Sequence, residues 1–416
     1  MTGAAPQPLV LRGRVVTPDA VLDDGAVVVD GEQIAWVGAV PAVPPALAAA
    51  VRAAPAPGAG TTLLPGLVDL HDHGGGGVSF PDATTADEAL RAVGEHLAHG
   101  TTSLVASLVT ADRGTLLTRA ALLADLADSG DLVGIHAEGP FLSPARCGAQ
   151  NPADMLDGDP GLVRELAAAA RGHLVTMTVA PEVEGVRGGA GVLATLAQVG
   201  AVPSIGHTDA SAEVVDDAVA QARSALGRPG TRSPRPTATH LFNGMRPLHH
   251  RDPGPVAACL AAASRGDLVV ELVADGTHLA PGTVRAVFDL VGPDAIALVT
   301  DAMAAAGMAD GSYRLGPVHV RVVDGVARLV DGGAIAGGTA HLLDVVRATV
   351  AAGVRLEHAV RAASLTPAGV LGRADLGALA PGRRADVVVV DGGLMPLGVL
   401  RAGRWVVPVG DRADSR

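Results

Sequence analysis

The chain contains no lysine: all 31 of its basic residues are arginines. That absence excludes a carbamylated lysine bridging two metal ions, a Schiff-base lysine and a phosphate-binding P-loop lysine. An anionic substrate must instead be held by arginine, histidine or backbone N–H groups. Aromatic residues are scarce as well, at 2% against 48% hydrophobic residues, so a core of alanine, valine and leucine is expected. The two cysteines, Cys147 and Cys259, are too few for a disulfide framework, and a reducing cytoplasm is the expected location. Mean hydropathy is positive at +0.35, yet Arg, Asp or Pro interrupts every apolar stretch before it could span a bilayer. Met1–Val10 lacks the basic and apolar regions of a signal peptide. A net charge of −12 speaks against nucleic acid as a partner, since phosphate backbones select basic surfaces.

What is present is organised around Leu64-Pro65-Gly66-Leu67-Val68-Asp69-Leu70-His71-Asp72-His73 and the glycines Gly74 to Gly77 that follow. On a strand, His71 and His73 point to the same face, because side chains alternate with a period of two. A parallel strand delivering two imidazoles at its C-terminal end supplies half of a metal site. The glycines beyond let the chain turn sharply and leave space above.

A length of 416 residues suits one large domain with a satellite. Val27-Val28-Val29, Asp30-Gly31 and Ile34-Ala35-Trp36-Val37 read as a hairpin whose Asp-Gly supplies the turn. Pro41 to Gly60 reads as a connection. Asp386 to Asp391 and Arg404 to Val407 read as further strands. Residues 1–61 and 373–416 are therefore expected to form one small β-sandwich-like domain, and residues 62–372 the large one. The large segment alternates strand-like runs, at 104–109, 132–137, 174–179, 201–205, 238–241, 269–274 and 295–299, with Ala/Leu-rich helical stretches such as 86–97, 116–126 and 213–225. With the opening strand, that is the count of a (β/α)₈ barrel, although a doubly wound sheet alternates similarly. The placement of polar residues decides for the barrel, whose chemistry sits at the C-terminal ends of many different strands. Residues 313–330, with Asp324-Gly325, read as a hairpin excursion near the site mouth.

Four further strands end in residues able to bind metal or move protons: Gly134-Ile135-His136-Ala137-Glu138, Ser204-Ile205-Gly206-His207, Thr239-His240-Leu241-Phe242-Asn243 and Leu298-Val299-Thr300-Asp301. Histidines with a carboxylate suit zinc or iron(II), ions that favour nitrogen and oxygen ligands.

The chain resembles the amidohydrolase superfamily and, within it, the N-acetylglucosamine-6-phosphate deacetylases. The stretches that carry the resemblance are Pro65 to Gly74, His136-Ala137-Glu138-Gly139-Pro140-Phe141, Gly148-Ala149-Gln150-Asn151-Pro152, Gly206-His207-Thr208, Thr239 to Met245, Ala274-Asp275-Gly276-Thr277-His278 and Thr300-Asp301-Ala302. The resemblance implies a (β/α)₈ barrel, a homodimer, and metal-dependent hydrolysis of N-acetylglucosamine 6-phosphate to glucosamine 6-phosphate and acetate. By motif, Glu138, His207 and His240 are metal ligands, and His71 and His73 complete a second position. Zinc is the expected ion, with iron or another divalent ion as the alternative, at one or two per subunit. Glu138 stands where many superfamily members carry a modified lysine. Asp301 is the expected general base, and Gln150 stands where some relatives use a histidine beside the substrate carbonyl. Asn243, Gly244 and His278 match positions that reach the sugar phosphate, Arg251 matches one contributed by the neighbouring subunit, and Ala149, Ile335, Ala336 and Gly337 match sugar-contacting segments.

Other readings remain open at this level. Another amide hydrolase of the superfamily, dihydroorotase-like or N-acyl-amino-acid-cleaving, is the alternative enzyme; a catalytically inactive scaffold is the alternative class. His136 reads as a hydrogen bonder inside the barrel, and His96, His99, His173, His341 and His358 as solvated. Cys147, beside Arg146, reads as a loop thiol that the arginine would favour as thiolate.

Overall fold

Eight parallel strands, Leu67–Asp72, Thr101–Leu108, Gly134–Glu138, Leu174–Val179, Val202–Ile205, Thr237–Ala238, Val269–Leu272 and Ile296–Leu298, form the centre of the computed structural model, which describes residues 8–410. They are numbered here strands 1 to 8. Each pairs with its neighbour in chain order. Between strands 8 and 1 the Asp301 N–H donates to the His71 carbonyl at 2.9 Å, and the His73 N–H to that of Ala302 at 2.7 Å, which nearly closes the barrel. Residues 1–7 of the Met1–Val10 reading, and residues 411–416 of the terminal domain, lie outside the described residues.

Every residue of these strands is buried, as in a barrel covered on both faces, so Val, Leu and Ala alternate with Thr, Ser, His and carboxylates, many of which find partners inside. The helices between them start where local chemistry stops the chain from extending. Thr85 caps the helix Ala86–Ala98 and forms a capping box with Glu88; Asp112 caps Arg113–Asp128 and Ser211 caps Ala212–Leu226. Their buried faces join the strands in one large aliphatic core of Leu, Val and Ala, in which Phe80, Phe141 and Phe288 are the bulkiest side chains. That is the core expected from a chain with so few aromatics.

Both chain ends build one seven-stranded sheet, ordered Arg404–Val407, Pro396–Arg401, Val387–Val390, Thr62–Pro65, Leu9–Val16, Val21–Asp30 and Gln33–Ala39. Thr62–Pro65 lies in this sheet, antiparallel to Val387–Val390 and beside Leu9–Val16, so the strand leading into the barrel belongs by pairing to the terminal unit. The stretch read as a plain connection contains a helix, Pro45–Ala53, whose Leu47 and Val51 pack on Val10, Ala26, Val28 and Trp36. Asp30-Gly31 turns the expected hairpin, with Gly31 at φ +58°. The excursion after strand 8 is a three-stranded sheet, Gly311–Leu315, Val318–Val323 and Val326–Leu329, turned at Asp324-Gly325. It brings Leu315 to the mouth of the barrel.

Candidate active site

The polar ends of strands 1, 3, 5, 6 and 8 meet at one point on the barrel axis. His71 Nε2 and His73 Nε2 stand 3.0 Å apart, and each is 3.4 Å from Asp301 Oδ1. Glu138 divides its two oxygens. Oε1 lies 2.9 Å from both His207 Nε2 and His240 Nε2, while Oε2 lies 3.1 Å from His73 Nε2. Two triads result, His71/His73/Asp301 and Glu138/His207/His240, with Glu138 between them.

Backbone and neighbouring groups aim these side chains. His207, His240 and Asp301 all have positive φ, at 46°, 29° and 47°. Non-glycine residues hold such angles only where the surroundings over-determine them. The far ring nitrogens are tied back: His207 Nδ1 lies 2.8 Å from the Arg146 carbonyl, His73 Nδ1 3.3 Å from that of Ser107, and His71 Nδ1 3.3 Å from Glu271 Oε2. Each bond turns Nε2 toward the centre, as the outer partners of metal-bound histidines do.

Glu271 was missed from the sequence. It sits within strand 7 at 2% exposure, in a run that otherwise reads as apolar. The available signal was the cost of burying an unpaired carboxylate, which demands a cationic or donor partner.

The electrostatics point to a cation. Burial disfavours charge on His71 and His73, but Asp301 and Glu138 outweigh it, raising His71 well above the ordinary imidazole range and His73 to about 9. Burial would likewise raise Glu138 and Asp301. Instead His207 and His71 hold Glu138 well below the ordinary range, and His71 and His73 do the same for Asp301. All four shifts report one demand, for positive charge between two buried carboxylates. With Nδ1 of His71 and His73 donating to Glu271 and to the Ser107 carbonyl, the neutral rings would turn two Nε2 lone pairs on each other at 3.0 Å with no hydrogen between them. The donors fit a divalent ion bound by nitrogen and oxygen.

A cavity of about 250 Å³ opens above the cluster. His73, Glu138, His207, His240 and Asp301 form its floor, while Ala149, Gln150, Asn243, Gly244, His278, Ile335 and Gly337 line its wall. Gly244 has φ +59°, and a side chain there would meet His207 Nδ1 at 2.9 Å, so only glycine lets this loop close over the histidine. Asp275 lies 2.8 Å from His278 Nδ1; burial discourages charge on this ring, but Asp275 raises its pKa nonetheless. Ala336 is fully buried beneath the wall. Arg251 is exposed, its guanidinium 2.9 Å from His250 Nε2, and does not line the cavity within one chain. A larger open groove of about 760 Å³, bordered by Arg91, Met308 and Tyr313, gathers no metal-ligand triad among the described residues.

Other histidines depart from their reading. His136 is the interior hydrogen bonder expected, between Ser107 Oγ at 2.9 Å and Thr178 Oγ1 at 2.8 Å. His96 and His341, read as solvated, are buried: His96 pairs with Asp72 at 2.9 Å, and His341 with Glu95 at 2.9 Å. Arg146, beside Cys147, is paired with Asp209 at 2.7 Å.

Comparison with known proteins agrees with this geometry. Residues 62–406 match the amidohydrolase family model. The chain is 34% identical to an N-acetylglucosamine-6-phosphate deacetylase of Lysinibacillus sphaericus, over 83% of this chain and 86% of the relative. It is also 34% identical to an N-acetylgalactosamine-6-phosphate deacetylase of Escherichia coli O157:H7, over 80% and 84% of the two chains. Among solved structures, a mutant N-acetyl-D-glucosamine-6-phosphate deacetylase from Mycobacterium smegmatis, in complex with N-acetyl-D-glucosamine-6-phosphate, superposes with a TM-score of 0.85 at 41% identity, covering 97% of this chain and all of that one. The chain belongs to the amidohydrolase family and, within it, to the N-acetylglucosamine-6-phosphate deacetylases.

Proposed function

We propose that the protein hydrolyses the acetamide of N-acetylglucosamine 6-phosphate, giving glucosamine 6-phosphate and acetate, with a divalent metal ion, zinc in the first instance. The observation that carries this reading is the position of Glu138, with one oxygen on each triad, at the floor of a cavity sized for one small sugar phosphate.

Glu138, His207 and His240 would hold the ion, and His71, His73 and Asp301 frame a second position. When bound, a divalent ion supplies Lewis-acid charge that polarises the acetamide carbonyl and acidifies water. Asp301, whose Oδ1 lies 3.4 Å from both His71 Nε2 and His73 Nε2, takes the proton of the attacking water and later gives it to the departing amine. The Gln150 amide nitrogen donates toward the carbonyl oxygen as charge builds there. His278, favoured as a cation by Asp275, joins Asn243 and the Gly244 N–H at the phosphate end of the cavity.

Arg251 would act from a neighbouring subunit of a homodimer, since in its own chain it lies outside the cavity. A reducing cytoplasm suits two unpaired cysteines, and among the described residues no helix is long and apolar enough to cross a membrane.

Acetate release measured on N-acetylglucosamine 6-phosphate, its galacto epimer and both unphosphorylated sugars tests the reading. Turnover should be fastest on the gluco phosphate and weak on the plain sugars. Equal turnover with and without phosphate would defeat it in favour of a different amide hydrolase.

A further inference from the structure

A second group of metal-binding side chains lies outside the catalytic cavity, at the seam of the barrel. Strands 1 to 8 are laddered in chain order, but strand 8 meets strand 1 through an irregular pairing of Asp72 with Ala302 and a few bonds at their ends. Two helices flank this seam, Ala86–Ala98 after strand 1 and Leu342–Ala351 after strand 8. Glu95 and His99, four residues apart, share one face of the first helix end, as positions i and i+4 do. His341 is the N-cap residue of the second. Glu95 Oε1 lies 2.9 Å from His341 Nε2 and 3.3 Å from His99 Nδ1. One donor atom from each of the three falls within 4.8 Å of the others.

Three further observations mark this as a built arrangement. Asp344 Oδ2 stands 3.3 Å from His341 Nδ1, so a carboxylate orients the histidine and turns Nε2 toward Glu95. That is the outer-shell pattern of metal-binding imidazoles. Gly307, at φ +75°, packs its backbone against the Glu95 carboxylate, where a Cβ would lie 2.1 Å from Oε1. Glu95 is the shared acceptor: His96, the adjacent buried imidazole with its ring centroid 5.5 Å from that of His341, is matched by Asp72 at 2.9 Å, and Asp344 also pairs with Arg347 at 2.7 Å, which leaves Glu95 facing both His99 and His341.

We propose that Glu95, His99 and His341 bind a divalent ion of the zinc class that staples the two helices across the barrel seam. Two nitrogens and a carboxylate oxygen make a three-ligand set, and the partial exposure of Glu95 and His99, 24% and 31%, leaves a side open to water as the fourth ligand. The His99 and His341 rings are stacked 3.7 Å apart at 12°. Binding splays this stack: His99, the more exposed ring, turns and gives up the 2.8 Å bond from Nδ1 to the Glu95 backbone carbonyl. The role is structural, because none of the three residues lines the catalytic cavity.

Zinc content per chain, measured by mass spectrometry after dialysis against buffered zinc, tests the site in the full-length wild-type enzyme and in His99→Ala, Glu95→Gln and His341→Ala. Each variant should bind one equivalent less than the wild type. Zinc should raise the melting temperature of the wild type more than that of His99→Ala, whose kcat/KM should stay within about twofold. His341→Ala removes a helix cap and risks misfolding, so the milder His99→Ala and Glu95→Gln decide. Equal zinc content in the wild type and these two variants would overturn the proposal and leave a hydrogen-bonded cluster of protein groups alone.

Discussion

Thr110 donates its backbone N–H to Gln150 Oε1 at 2.8 Å, and this bond decides which way the Gln150 amide faces. With the oxygen committed, the amide nitrogen turns to Glu138 Oε2 and the cavity. An amide does not titrate, so the donor is present at every working pH. Gln150→Ala should lower kcat by roughly ten- to a thousandfold with little change in KM, the behaviour of a donor that acts on developing oxyanion charge. Gln150→His should add a limb near pH ~6.5 to the kcat profile that the wild type lacks. Unchanged kcat in Gln150→Ala would remove the residue from the reaction.

Asp301→Asn keeps the shape of the site and removes the proton acceptor. Its metal content should stay close to that of the wild type while kcat falls by roughly 10²–10⁴. Near-wild-type turnover at neutral pH would assign the proton to another group.

The residues that end strands were legible in the sequence because a polar group following an apolar run announces itself, as with Glu138, His207, His240 and Asp301. Side chains that support them were not. Glu271 sits inside a buried strand, where one carboxylate among valines carries no periodic signal. Asp72 lies between the two histidines on the opposite face of strand 1, and its partner His96 comes from a helix 24 residues on. A helical histidine followed by Leu-Ala-His reads as surface, and only the packing of that helix on strand 1 shows otherwise. The sequence reading places residues 62–65 with the barrel, since the apolar stretch that leads to His71 and His73 includes Leu64 and Pro65. The pairing that claims them for the terminal sheet is supplied by Val387–Val390, over 300 residues away in sequence, which no local pattern reveals.

Beneath the cluster, hydroxyls and His136 link five strands. Ser107 Oγ meets His136 Nδ1 at 2.9 Å, His136 Nε2 meets Thr178 Oγ1 at 2.8 Å, and Thr239 Oγ1 follows at 2.7 Å from Thr178 and 2.6 Å from Ser204. All are buried. Thr178→Val preserves volume but strands His136 Nε2, at a cost of about 1–3 kcal/mol, and removes one of the two partners of the Thr239 hydroxyl. Denaturant unfolding should show a loss of that order, with Thr178→Ser close to wild type. Equal stability of the Val and Ser variants would mean that the chain of bonds contributes nothing net.

The buried His96–Asp72 pair makes a prediction with a sign. Burial opposes charge on His96, but Asp72 raises its pKa to about 9. A raised histidine pKa contributes stability that is complete below the unfolded value of ~6.5 and is lost as pH climbs through the folded value. The stability gap between wild type and His96→Gln should therefore be widest near pH 6 and shrink by roughly 1–3 kcal/mol by pH ~9.5. A gap that widened with pH would mean the ring is neutral in the folded protein.

Arg251 tests substrate and assembly together. A chain with a net charge of −12 and no lysine must concentrate positive charge locally to hold a phosphate. Arg251 is exposed and outside the cavity of its own chain, and its planar, bidentate donors are expected to serve a phosphate bound by a neighbouring subunit. Arg251→Ala should lower kcat/KM for the phosphorylated sugar and leave the weak rate on the plain sugar nearly unchanged. A hydrogen bond to a charged group contributes ~1.5–3 kcal/mol, which corresponds to a loss of roughly ten- to hundredfold. Mixing subunits then shows whose site the arginine serves. Arg251→Ala chains refolded with Asp301→Asn chains give mixed dimers in which one site keeps its own Asp301 and receives an intact Arg251 from the other chain. Activity at low substrate should rise in proportion to the mixed dimers. Verified mixed dimers without recovery would mean that Arg251 serves its own subunit or does not touch the phosphate.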